Sequence, residues 1–323
     1  MAESLSRAAL RPHVKPRHAH VVGAGLAGLS AAVALVQAGC GVTMHEAAPI
    51  AGGRCRSYFD RVLGCLVDNG NHLLLSGNRA AMDYLQIIGS RDSLTGPMEA
   101  EFPFMDLSSG ERWVVRPNAG SVPWWVLSRA RRVPGTSVWD YLGLVALRRN
   151  KGDSTVAEVV RDGAFYRRLL EPLAIAALNT PPEQALARLL AAVVDETLAR
   201  GGAACVPRFP RAGMSQTFID PALDWLRARG VEIKLNHRIG ALHTTDERVV
   251  GLNDIALGSD EVVILAVTPW VAAELLPGLM APDAFQSIVN VHFRLERHLP
   301  LGFIGLVGGT AEWVFVKPDH ASV

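Results

Sequence analysis

Three glycines, one carboxylate and one arginine near the start of the chain carry the chemistry that can be read most directly. Gly23-Ala24-Gly25-Leu26-Ala27-Gly28 follows a short apolar strand, His20 to Val22, and opens a helix running to about Ala38, where Gly39 ends it. Gly23 permits the tight strand-to-helix turn, Gly25 lets the backbone approach a pyrophosphate, and Gly28 lets the helix lie close on the strand. The helix N-terminus offers free N–H groups and the positive end of its dipole to phosphates. Seventeen residues separate Gly28 from Glu46, which places a carboxylate at the end of the second strand. There it can accept hydrogen bonds from ribose hydroxyls, and it would repel a 2′-phosphate, so NADP is not expected.

The residues after Glu46 bear on which dinucleotide is held. Gly52-Gly53-Arg54 supplies a flexible turn, further backbone donors and a guanidinium suited to bidentate contact with a pyrophosphate. NAD-dependent dehydrogenases do not need this second element, whereas proteins that bury an extended FAD commonly have it. FAD is therefore the expected cofactor. An ordinary loop with a surface arginine is the alternative.

GAGLAGLSAA, Glu46 and GGRCRS together resemble the flavin-containing amine oxidase and phytoene desaturase superfamily. DNGNHLLLSGN (Asp68 to Asn78), EPLAIAALNTPPEQA (Glu171 to Ala185) and IVNVHFRLERHLPLGFIGLVGGTAEWVF (Ile288 to Phe315) are similar to its hydroxysqualene dehydroxylase branch. The resemblance covers nearly everything from His20 onward. It implies an FAD enzyme of squalene and hopanoid biosynthesis that reduces a C30 isoprenoid alcohol with loss of water. It also implies that the Ile239 backbone lies near the adenine, and that Gly70 and His72 pass close to the flavin ring. Other enzymes of the squalene pathway are implied as partners. Members of the superfamily carry a C-terminal GD-containing segment and helix that close over the flavin. This sequence stops at Val323 without them, which predicts weak FAD retention and keeps an inactive FAD-binding paralogue as an alternative. A carotenoid-type desaturase or amine oxidase, running the flavin in the opposite direction, is the other alternative. An amine oxidase should present an aromatic cage, which this sequence does not visibly assemble.

His72 could donate a proton to a leaving hydroxyl, and a structural histidine bonded to a backbone carbonyl is the competing reading. No GxSxG, HExxH or Walker lysine accompanies it. The four cysteines form no CxxC pair and have no histidine at metal spacing, so they read as reduced thiols in a cytoplasmic protein, with no metal site. With a net charge of +1 over 323 residues there is no basic field to neutralise phosphates, and nucleic acid is not expected as a partner. The most apolar window, 262–280, is broken by Pro269, Glu274 and Pro277, and reads as a buried strand followed by a helix start. Trp124-Trp125 beside Arg129, Arg131 and Arg132 suits a peripheral contact with the inner face of a membrane, indoles at headgroup depth and arginines toward anionic lipid. Buried tryptophans beside a solvated basic turn would give the same pattern.

The elements that must position these residues are those of an α/β protein, a Rossmann-like FAD-binding domain with an inserted substrate domain that is mainly helical plus sheet. Residues 1–17 read as a disordered tail. The FAD-binding domain is discontinuous, 18–75 and 213–275, with Ser215 capping a helix to Arg229, Gly230 stopping it, and a strand through Val231, Ile233 and Leu235. The substrate domain takes 76–212 and 276–323. Within it Asn78 should cap a helix ending at Gly89. Thr155 and Glu158 form a capping box, and Thr180-Pro181-Pro182-Glu183 should start a helix that ends at Gly201-Gly202.

Overall fold

The computed structural model describes residues 16–246 and 248–323, so most of the expected tail lies outside the described residues. Arg17 belongs to the sheet margin. Its N–H donates to the Asp260 carbonyl at 3.0 Å, and its own carbonyl accepts from Gly41 N at 2.9 Å. The chain forms two compact units, one running to Arg56 and resuming over Ile219–Asp283, the other built from Ser57–Phe218 and Ala284–Val323.

In the first unit, strand β1 (His18–Val22), helix α1 (Leu26–Gln37) and strand β2 (Gly41–His45) form the βαβ start that the glycine spacing predicts. β1 is central, with β2 on one side and Glu261–Leu265 on the other, and Glu232–Lys234 adds to β2. All three pairings are parallel. Glu261–Leu265 lies at the edge of this sheet, so its residues are only half-buried and Val262 is exposed, where full burial is expected from their run of apolar side chains. A meander, Leu242–Thr245, Arg248–Leu252 and Ile255–Ala256, completes the unit. One apolar cluster of the unit joins Val22, Ile239, Leu252 and Leu275, and Val21, Leu29 and Met44 are fully buried as well.

Segment 57–75 falls in the second unit because its backbone pairs there. Ser57–Asp60 pairs with Cys65–Asp68, and Leu74–Leu75 pairs with the strand Pro207–Pro210. A six-stranded sheet brings Phe102–Asp106 and Arg112–Val115 together with four strands drawn from 292–322. Helices cover a large apolar core that includes Leu147, Val156, Leu170, Ala174 and Leu190.

Several local expectations are corrected. Ser215 does not cap a helix; its Oγ accepts from Ser57 N at 2.8 Å, and it opens a π-helical turn, Ser215–Ile219, ahead of the α-helix Asp220–Arg227. Asn78 is the N-cap of Arg79–Ile87, yet its Oδ1 turns back to accept from Leu75 N at 2.7 Å. The Thr155–Glu158 box forms as expected. The Thr180 box does not. Glu183 instead accepts from the Tyr166 hydroxyl, and the Ala185 carbonyl and Ala187 N–H are bonded to the Ser154–Val156 segment, which delays the helix to Ala187–Glu196. The two adjacent tryptophans also part company. Trp125 is 3% exposed, set edge-on against Tyr141 at 5.1 Å, while Trp124 is 50% exposed.

Candidate functional site

The glycine loop of the first unit owes its shape to close backbone contacts. Gly23 has φ +104°, and a Cβ there would stand 2.4 Å from the Ala266 carbonyl oxygen. A Cβ on Gly28 would stand 1.8 Å from the Gly23 carbonyl oxygen, so α1 can reach β1 only as glycine. Gly25 differs: no atom lies within 4 Å of where its Cβ would be. It is the N-cap of α1, and no side chain caps the helix or places an acid in its first turn. Ala24 is buried behind the loop, while Leu26 and Ala27 are exposed on the first turn. The open face of the loop thus presents uncapped N–H groups and empty space, the arrangement that takes a phosphate.

The second glycine pair closes against this loop. Gly52 N donates to the Ala24 carbonyl at 2.8 Å, Gly25 and Gly52 form a parallel bridge, and Gly53 (φ +55°) brings its Cβ position to 3.4 Å from Gly25 Cα. Arg54 follows with an exposed side chain. Glu46 is fixed from both ends of its carboxylate: Oε2 accepts from Ala24 N at 2.7 Å and Oε1 from Ala48 N at 2.8 Å. Each oxygen keeps a second lone-pair direction for a ribose hydroxyl. The Ile239 side chain is core, so only its backbone is available to a ligand.

Sequence reasoning missed a row of histidines in this unit. His20 Nδ1 and His45 Nε2 lie 3.0 Å apart, and His45 Nδ1 and His237 Nδ1 3.1 Å apart. His237 N also donates to the Glu46 carbonyl at 2.8 Å. Burial first, then the neighbouring imidazoles, pushes His45 down to about 4. The signal available in the sequence was the alternation of His18 and His20 on one strand and His45 at the end of the next; only the structure shows the parallel pairing that sets Val22 opposite His45. Among the described residues no three such groups are placed to hold a metal ion.

In the second unit Asp68 organises the loop that carries Gly70 and His72. Its Oδ1 accepts from Ser57 Oγ at 2.7 Å and Met214 N at 2.8 Å, and its Oδ2 faces Lys317 Nζ at 3.3 Å. Lys317 is 4% exposed and also donates to the Pro210 carbonyl at 2.9 Å. Asn71 Nδ2 donates to Ser322 Oγ at 2.8 Å, and that hydroxyl shares a 2.8 Å hydrogen bond with His292 Nδ1. A Cβ at Gly70 would meet His72 Nε2 at 3.8 Å. His72 has an exposed side chain, yet the protein around it desolvates the ring enough to hold its pKa below 6.5, against the opposite pull of Asp68. Lys317, Ser322 and His292 sit some 220 to 250 positions from the loop they support, and no sequence spacing points to them.

Clefts open on this unit. One, of about 380 Å³, is lined by Asp162, Glu171 and Glu183 among others, where burial and the neighbouring carboxylates raise the Glu171 pKa. Another, of about 310 Å³, is lined by Pro97, Pro103, Phe209, Leu301 and Phe303, with Glu101 at its margin. Phe209 and Phe303 continue into an aromatic cluster that reaches Leu73, next to His72.

With this geometry in place, comparison with known proteins gives the class. The sequence profile of the flavin containing amine oxidoreductase family matches residues 26–303, and the chain belongs to that family. Within it, the chain is 44% identical over 310 residues to the hydroxysqualene dehydroxylase of Zymomonas mobilis, covering 94% of this chain and 75% of that protein. It is 45% identical over 316 residues to the hydroxysqualene dehydroxylase of Sinorhizobium fredii, covering 95% and 75%. An oxidoreductase from Methanosarcina mazei has the same fold, with a TM-score of 0.67 at 16% identity over 94% of this chain and 78% of that one. FAD is the cofactor of this family member. The open Gly25 cradle, the uncapped α1 N-terminus and the anchored Glu46 carboxylate fit its pyrophosphate and adenosine ribose.

Proposed function

We propose that the protein is an FAD-dependent oxidoreductase that removes the hydroxyl of hydroxysqualene to give squalene, one step of squalene and hopanoid formation. The observation that carries the reading is the extent of likeness to hydroxysqualene dehydroxylases, 44% to 45% identity across about 95% of this chain, on a fold whose Gly25 cradle is open. Bound in its reduced form, FAD supplies the hydride that replaces the hydroxyl, which leaves as water after taking one proton.

The residues of the chain do the rest. Backbone N–H groups at Gly25 to Ala27 take the pyrophosphate, with Gly52, Gly53 and Arg54 beside them. Glu46 takes the ribose hydroxyls. The Phe209–Phe303 cleft excludes water from a hydrocarbon chain and, at about 310 Å³, accommodates part of a C30 molecule. His72 is the proton donor to the departing hydroxyl. Its lowered pKa makes it a stronger acid, and the fraction in the donating form grows as pH falls through the region below 6.5. Asp68, held by Ser57, Met214 and Lys317, positions the loop that presents it.

The same reading gives the protein a cytoplasmic place, peripheral on the inner face of the membrane, near other enzymes that make squalene. Among the described residues no helix is long and apolar enough to cross a membrane. Anaerobic incubation with hydroxysqualene and dithionite-reduced FAD, followed by lipid extraction, tests the reaction. Squalene should accumulate; FAD-loaded protein that leaves hydroxysqualene unchanged would overturn the proposal.

A further inference from the structure

The second unit leaves large apolar side chains in water on several surfaces, one of them the short hairpin that carries Phe59, Val62 and Leu66. Around Ile288, Val289 and Phe293 the nearby charges are mixed, Arg294 and Arg297 against Glu296. The surface carried by segment 122–151 is different in charge. Its charged residues are Arg129, Arg131, Arg132, Arg148, Arg149 and Lys151 against Asp140 alone, six cations and one acid, in a chain whose total is +1. Asp140 is engaged locally, accepting from Ser137 N and Oγ. Arg148 is paired with Asp195.

The exposed side chains on this surface share a rigid base. Trp125, buried against Tyr141, joins the 3-10 turn Trp124–Leu127 to the turn Val138–Tyr141. Asn118 Oδ1 accepts from Trp125 N, and Arg132 Nη1 donates to the Val126 carbonyl, which holds the first turn in place. On that base Val122, Trp124 and Leu127 stand exposed from one turn, and Trp139, at 76%, and Leu142 from the other. Trp139, Leu142 and Val145 recur every three residues from the turn into the helix Leu142–Arg149, so they share a face, and Arg149 lies at its far end. The Arg131 guanidinium sits 4.9 Å over the Trp124 ring, keeping its charge beside the indole.

From this arrangement we infer that the face formed by Val122, Trp124, Leu127, Trp139 and Leu142 docks on an anionic lipid bilayer. Indoles and leucines at headgroup depth bury apolar area, while the surrounding cations face lipid phosphates; neither contribution needs a spanning helix. The charge complementarity selects this occupant over a second copy of the chain, whose own face would carry the same excess of positive charge. The inference names the surface for the peripheral location in the functional reading, and rests on none of its flavin chemistry.

Co-sedimentation of the FAD-loaded protein with vesicles tests it. Vesicles of phosphatidylglycerol and phosphatidylcholine in equal parts should bind the protein, and pure phosphatidylcholine or about 1 M salt, where the Debye length is roughly 3 Å, should weaken binding at least about tenfold. Trp139→Ser with Leu142→Ser should lower binding by about tenfold or more at unchanged Tm, because both side chains are exposed and support no core. Arg129→Gln with Arg149→Gln should remove most of the preference for phosphatidylglycerol. Equal sedimentation of wild type and the Trp139/Leu142 variant overturns the assignment, as does wild type that self-associates through this face and ignores vesicles. Turnover of detergent-solubilised hydroxysqualene is read separately, so a failed reaction and a failed docking surface are distinguishable.

Discussion

The glycine cradle of the first unit and the Asp68 network of the second reach order by opposite means. The cradle consists of backbone within one βαβ segment, and what distinguishes it is an empty volume: no atom lies within 4 Å of where a Gly25 Cβ would be. The network consists of side chains from distant parts of the chain, and its order lies in occupancy: Asp68 Oδ1 accepts from Ser57 and Met214, and Oδ2 faces the buried Lys317 ammonium. A site of the first kind is damaged by adding atoms, one of the second kind by removing them.

The largest effect should come from adding atoms where the cradle has no room. Gly28→Val would drive a side chain into the Gly23 carbonyl and cost more than about 4 kcal/mol, enough to unfold the first unit. Gly25→Val should leave Tm nearly unchanged and abolish FAD binding by calorimetry. Equal loss of stability in both variants would erase the contrast between them.

Removing atoms from the network comes next. Lys317→Met strands the Asp68 carboxylate in a buried site and should cost about 3–5 kcal/mol in urea unfolding. Adding Asp68→Asn to that variant should recover a good part of the loss, since no charge then remains buried; an additive double variant would break the account.

A smaller effect, in the first unit, follows from the histidine row. Folded His45 titrates at about 4, below its ordinary 6.5, so on acidification the unfolded chain binds the proton first. Stability is therefore complete above pH 6.5 and lost as pH falls toward about 4, by roughly 3 kcal/mol for this residue at most. Hydrogen exchange across that range should localise the loss to β1 and β2, and His45→Gln should flatten it. Smallest is Thr155→Ala, which removes a capping box and should cost about 1 kcal/mol.

These contrasts also explain what could be read from the amino-acid order. The cradle was legible because Gly23, Gly25 and Gly28 act through steric rules, and Glu46 through hydrogen bonds to Ala24 and Ala48, that all hold within a few dozen residues. The Thr155 box was legible for the same reason. The Thr180 box was not, because the backbone around Ala185 to Ala187 is claimed by the Ser154–Val156 segment, a tertiary demand no local pattern carries. Strands Phe102–Asp106 and Arg112–Val115 were hidden inside a stretch read as mainly helical, since most of the six-stranded sheet they join comes from the far end of the chain. Of Trp124 and Trp125, adjacency alone could not say which is core and which is surface. Lys317 gave no signal at all, because its partner is an aspartate 249 positions earlier.

That six-stranded sheet has a consequence for the birth of the protein. Phe104 pairs in parallel with Gly305, so the strand Phe102–Asp106 has one neighbour early, Arg112–Val115, and waits for the other until about 200 more residues have been made. At roughly 5–20 residues per second this leaves an unpaired edge for about 10–40 s, with Phe104 lacking its later partner Trp313. Long-range parallel pairing is also slow to close, and an open edge is a template for wrong pairing. Synthesis rate and chaperone supply should therefore govern the soluble yield of this protein more than the strength of its finished core.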